Sequence, residues 1–200
     1  MDPHLPGMAG AFGLATSAGL NTTVPLLIVG LLARASLLGL AAPYDALASD
    51  VALGGLAVLA VLELVGDKVP GWDTFAHAVQ LPLAAAAGGI LFASQTAAIS
   101  WVAPEVAILV GLLTAGTVHA ARAAVRPLVS ATTFGLGNGA VSLAEDAGAL
   151  ALAVAALLSP ALAFALAAVL VATAAYAVIR IIRRGAPLAR RHPQRIGHAE

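Results

Sequence analysis

Gly19-Leu20-Asn21-Thr22-Thr23-Val24-Pro25 interrupts an apolar run that otherwise extends from residue 9 to residue 41. A membrane crossing needs about 20 mostly apolar residues, so the run is too long for one straight helix, and the polar insert lies in its middle. Proline removes a backbone donor and clashes with the carbonyl of the preceding turn. The stretch predicts a first helix broken or strongly kinked between Asn21 and Pro25, with an amide, two hydroxyls and freed carbonyls at the break.

The rest of the chain has the same apolar character. Its 200 residues are 60% hydrophobic and 10% charged, with a mean hydropathy of +0.96. Long Ala/Leu/Val runs without period-2 alternation exclude an ordinary soluble domain and predict an all-α, polytopic membrane protein. Further spans are expected near 50 to 66, 78 to 98, 103 to 121, 137 to 158 and 160 to 184, giving a bundle of about six transmembrane helices. Ser159-Pro160 supplies the turn between the last two, since proline suits the first turn of a helix.

The absence of cysteine removes disulfides and thiolate metal sites, and a formal net charge of zero gives no field that would attract nucleic acid. Met1-Asp2-Pro3-His4 lacks the basic region of a cleaved signal peptide. Residues 1–8 are expected as a short N-terminal segment, 9–184 as the transmembrane domain, and 185–200, with Pro187, Pro193 and Gly197, as a basic, disordered tail. Arg180, Arg183 and Arg184 at the end of the last span, with Arg190 and Arg191 in the tail, form a stop-transfer flank suited to anionic lipid.

Lys and Arg accumulate in short cytoplasmic loops. Six spans with both termini cytoplasmic put Lys68, Arg122, Arg126 and the basic tail inside, and leave the outer loops near 42 to 49, 99 to 102 and 159 without a basic residue. The expected location is the inner (plasma) membrane. Six spans also divide into two halves of three, so that equivalent helices run in opposite directions, as in many secondary transporters. Gly55 precedes Glu63 by eight residues in the second span, and Gly137 precedes Glu145 by eight in the fifth, consistent with an inverted repeat.

Carboxylates in such helices are by default a hypothesis about an ion, proton or substrate path. Glu145 and Asp146 are expected near mid-membrane, and Glu63 within about a turn of the inner end, with Asp67 at that end. Glu145 and Asp146 point about 100° apart, so one of them at most faces a given cavity directly. No basic residue lies within the fifth span to neutralise them, which favours a functional role. Asp67 adjoins Lys68 at the boundary, which favours a structural ion pair. Asn21, together with Thr133 and Asn138 at the inner mouth of the fifth span, could complete a substrate or ion site. His119 is a candidate proton relay, and Arg122 a candidate ion-pair partner. The structural alternative pairs the acids with Arg34, Arg122 and Arg126. No P-loop, His-Glu-x-x-His or Gly-x-Ser-x-Gly pattern is present, so no cofactor and no enzymatic activity are expected.

Three motifs carry a family resemblance: Gly19-Leu-Asn21-Thr-Thr-Val-Pro25; Leu62-Glu63-Leu-Val-Gly-Asp67-Lys68-Val-Pro70 followed by Asp73; and Thr132-Thr133-Phe-Gly-Leu-Gly137-Asn138-Gly-Ala-Val-Ser142-Leu-Ala-Glu145-Asp146. Over about residues 10 to 184 the chain resembles the uncharacterised bacterial membrane proteins of domain-of-unknown-function family 4126. Gly139 stands where that family is expected to carry proline. The resemblance implies an integral membrane protein and no assigned activity. A weaker similarity runs to cation/proton exchangers with Glu-x-Gly-Asp-Lys/Arg-Thr/Ser in each of two inverted halves. Here three residues separate Glu63 from Asp67 where that motif has two, and no basic residue follows Asp146.

The function expected is a small secondary transporter or exporter of a cation or small metabolite, proton-coupled through buried carboxylates. The alternative is a non-transporting scaffold or lipid-interacting protein whose acids are structural. The expected partners are the lipid bilayer, a small ion or metabolite as substrate, and a second copy of the chain, because six short helices enclose little volume alone.

Overall fold

The computed structural model describes residues 5–66, 73–134 and 137–189, and it is helical throughout apart from short connections. The break expected in the first apolar run is present: α1 (Leu5–Leu20) stops before Asn21 and α2 (Thr23–Arg34) begins two residues later. A 3₁₀ turn (Tyr44–Ala48) follows, then α3 (Asp50–Gly66), α4 (Asp73–Thr96), α5 (Pro104–Thr133), α6 (Gly137–Leu158) and α7 (Pro160–Ala189). The first run is helical only to Arg34, short of residue 41. Asp67, Lys68, Gly135 and residues 190–200 of the expected tail lie outside the described residues.

Helix α1 is the centre of the bundle, packing against α4, α5, α6 and α7 as well as α2. Its composition explains why. Leu14, Ala15 and Ala18 are fully buried, and a helix without a polar face has no side to give to water. The core around it is built mostly from alanine, with Leu91, Ala115 and Ala153 facing Leu14 and Ala18 in one cluster. Helices α4 and α5 approach most closely where Gly88 meets Gly111: a Cβ on Gly88 would lie 2.6 Å from the Gly111 carbonyl oxygen. Small residues permit this backbone contact, the usual basis of helix association in lipid.

Helix α5 departs from expectation. The sequence ended this span near residue 121 and put Arg122 and Arg126 in an inner loop; the helix instead continues to Thr133, with Pro127 inside it. Both arginines are buried, at 6% and 2% exposure. The physical reason is pairing: buried guanidinium groups persist only with an anion and hydrogen-bond acceptors to hold them, and α6 provides that anion.

Helix α3 packs on α2 and the 3₁₀ turn. Val51, Val58, Val61 and Leu62 of the same helix are exposed. Exposed apolar side chains also cover the outward faces of α5, α6 and α7, such as Leu109, Leu150 and Val169. Among the described residues, α5 and α6 are each long and apolar enough to cross a membrane.

Candidate functional site

The break between α1 and α2 leaves two helix ends in the interior, and each is met by a charge of the opposite sign. At the start of α2, the Thr22 amide donates to Glu63 Oε1 at 3.0 Å, and the Thr23 amide and hydroxyl donate to Glu63 Oε2 at 3.3 and 2.9 Å. Backbone donors at a helix N-terminus favour an anion both by direct hydrogen bonds and by the helix dipole. At the end of α1, Arg122 donates to the Leu20 carbonyl at 2.7 Å, placing a cation on the C-terminal, negative end of that dipole. Asn21 works between them. Its Oδ1 accepts from the amides of Thr23 and Val24 at 3.1 and 2.9 Å, the capping geometry for which asparagine is favoured. Pro25 lies in the first turn, where a missing amide hydrogen leaves no bond unmade.

Glu63 reaches this break because of the α2–α3 hairpin. Arg34, in the last turn of α2, pairs with Asp50, the first residue of α3, and the two helices then run back side by side. About 16 Å of α2 and about 20 Å of α3 separate that pair from the Thr23–Glu63 contact, at 1.5 Å per residue. Glu63 is thus level with the middle of the first apolar run, because α2 is a half-length helix.

Glu63, Thr22 and Thr23 also line a cavity of about 350 Å³ between α2, α3 and α4. The remaining wall is apolar, with Leu26, Leu56, Leu59, Leu83 and Ile90, apart from Gln80 on α4. Glu63 is 8% exposed.

Adjacent helical residues diverge, and Glu145 and Asp146 do so here. Glu145 turns to α5: Arg126 Nη2 lies 2.6 Å and Arg122 Nε 2.8 Å from its Oε2. The neutralisation that α6 lacks is therefore supplied by the neighbouring helix. Asp146 turns to the break, where its Oδ1 accepts from Asn21 Nδ2 at 2.9 Å. Its buried Oδ2 has no hydrogen-bond partner among the described residues. The result is a set of hydrogen bonds joining α6 to α3 across the break: Asn21 Nδ2 donates to Asp146, Asn21 Oδ1 accepts from the Thr23 amide, and the Thr23 hydroxyl donates to Glu63.

Of the residues singled out from sequence, Glu63, Asn21 and Asp146 are brought together, with Arg122 and Glu145 beside them. Asn138 and Thr133 serve the turn between α5 and α6: Asn138 Nδ2 donates to Ser130 Oγ at 2.7 Å, and Thr133 Oγ1 accepts from the Gly137 amide at 3.0 Å. His119 is buried in α5 at 1% exposure. Asp67 and Lys68 lie outside the described residues. Two contributors escaped notice. Gln80 carried a signal, a polar residue between Val79 and Leu81 in an apolar span. The Leu20 carbonyl carried none, because every residue has one.

No curated protein and no solved structure matches the chain. The family model described as Domain of unknown function (DUF4126) matches residues 8–180, and the chain belongs to that family.

Proposed function

We propose that this protein is a multi-pass membrane protein of six spans, counting α1 and α2 as one broken crossing, and that it acts as a small proton-coupled secondary transporter. The observation that carries the proposal is the convergence of Glu63 and Asp146, from α3 and α6, on the polar break at Asn21–Thr23. Discontinuous helices whose termini face ionisable groups are the usual construction of transporter sites. The apolar outward faces of α3, α5, α6 and α7 suit lipid contact. An inverted repeat is supported by one parallel: Glu63 and Glu145, each in the middle helix of its half, bond the first helix of that same half.

The mechanism follows from exclusion. A carboxylate holds a proton or a cation, and arrival of one releases the other to water. Glu63 lines the cavity and exchanges one for the other, while the bonds through Thr23 and Asn21 transmit the change to Asp146. Reorientation of α2 against α1 about the break alternates access. The scaffold reading has its own observation, the double ion pair that seals Glu145, and it makes all the acids structural.

Reconstitution into vesicles loaded with a pH dye tests the choice, with inorganic and organic cations offered in turn. Cation-driven proton movement in the wild type is expected to fall by about tenfold or more in Glu63→Gln and Asp146→Asn. It is expected to persist in Glu105→Gln, at an exposed carboxylate in the first turn of α5. Equal fluxes in wild type, Glu63→Gln and Asp146→Asn would remove transport and leave the scaffold.

A further inference from the structure

We infer that the cavity between α2, α3 and α4 is a binding site for an organic ammonium ion with an apolar body, so that the substrate class is an amphiphilic amine. The inference deepens the transport reading above and rests on it for its physiological meaning, though the binding itself does not require transport.

Three observations carry it. The cavity holds about 350 Å³, inside the range of roughly 300–1,000 Å³ typical of small-molecule sites. A hydrated inorganic cation needs several oxygen ligands, and this wall offers leucine and isoleucine over most of its extent. Such a wall gains from removing an apolar body from water. Apart from Gln80 on α4, the polar groups are gathered at one end, where the Glu63 carboxylate is held by the Thr22 amide and by the Thr23 amide and hydroxyl. Thr22 lines the cavity as well, and its buried Oγ1 has no hydrogen-bond partner among the described residues. A carboxylate at one end of an apolar wall matches an ammonium group, which carries several N–H donors and a positive charge and has no lone pair. A carboxylate or phosphate ligand would meet Glu63 with like charge. A neutral apolar ligand would make no charge-assisted hydrogen bond to Glu63.

The test is equilibrium dialysis of the purified full chain in lipid nanodiscs, with phenethylammonium as probe and propylbenzene as its uncharged isostere. The wild type is expected to bind phenethylammonium saturably and at least about tenfold more tightly than propylbenzene. Glu63→Gln is expected to abolish that preference. Ala86→Trp, at an exposed position of the cavity wall, fills the space without touching Glu63 and is expected to weaken both ligands. It keeps the experiment decisive should Glu63→Gln fold poorly. Equal affinities in the wild type would make the cavity a slot for lipid chains and overturn the inference. So would a preference that survives Glu63→Gln, unchanged binding in Ala86→Trp, or no saturable binding. Saturable phenethylammonium binding without proton movement in the vesicle assay would keep the site and remove transport. Proton movement without phenethylammonium binding would keep transport and remove this substrate class.

Discussion

Asn21 Nδ2 donates to Asp146 Oδ1 at 2.9 Å while Oδ1 of the same carboxamide caps α2. One side chain therefore caps the helix that follows the break and ties that break to a helix 125 residues further along the chain. Neither task can be separated from the other by moving the residue, but substitution separates them.

Asn21→Ser keeps a capping oxygen and loses the donor to Asp146, whereas Asn21→Ala loses both. Loss of a cap costs about 0.5–2 kcal/mol, and stranding a buried polar group costs about 1–3 kcal/mol. Thermal unfolding in detergent is expected to rank wild type above Asn21→Ser, and Asn21→Ser above Asn21→Ala. Equal midpoints for the two variants would show that the cap contributes nothing.

Glu145 holds two buried guanidinium groups, so its loss leaves uncompensated charge in the interior. Breaking a buried pair from one side costs about 3–5 kcal/mol, and Glu145→Gln is expected to lose stability on that scale, with little recovered by Glu145→Asp because the shorter side chain cannot meet both arginines. Arg122→Lys is expected to be damaging as well. A single ammonium lacks the planar fork that serves Leu20 and Glu145 at once. Denaturant titration of the three variants checks this; a loss below about 1 kcal/mol in Glu145→Gln would place the cluster among weak surface pairs.

The chain contains no cysteine, so single cysteines report topology directly. With six spans and cytoplasmic termini, cysteines at Asp45 and Ser159 are expected to react with a membrane-impermeant maleimide added outside intact cells. A cysteine at Thr132, exposed near the end of α5, is expected to react only after permeabilisation. Labelling of all three from outside would overturn the six-span arrangement.

The legible part of this protein was what depends on local chemistry. The spans at 50 to 66 and 137 to 158 coincide with α3 and α6, and Asn21-Thr22-Thr23-Val24-Pro25 marks the break, because apolar length and a proline act on the residues beside them. The error at α5 has the same origin. Arg122, Arg126 and Pro127 resemble a loop when taken with their neighbours alone, and they remain helical because Glu145 on another helix holds both guanidinium groups.

The sequence by itself determined that the chain is helical and apolar, that its first run is interrupted, and that a few acids would have to be accommodated inside. It offered Glu145, Asp146, Glu63 and Asn21 as candidates for one site and Asp67 with Lys68 as a boundary pair, without fixing which of the candidates meet. Only the tertiary structure decided the partners: the short α2 brings Glu63 to the break, and adjacent positions on α6 send Glu145 to the arginines and Asp146 to Asn21. Charge partners in a low-dielectric interior are selected by proximity across helices, and proximity between residues 40 to 125 apart is fixed by packing, not by spacing along the chain.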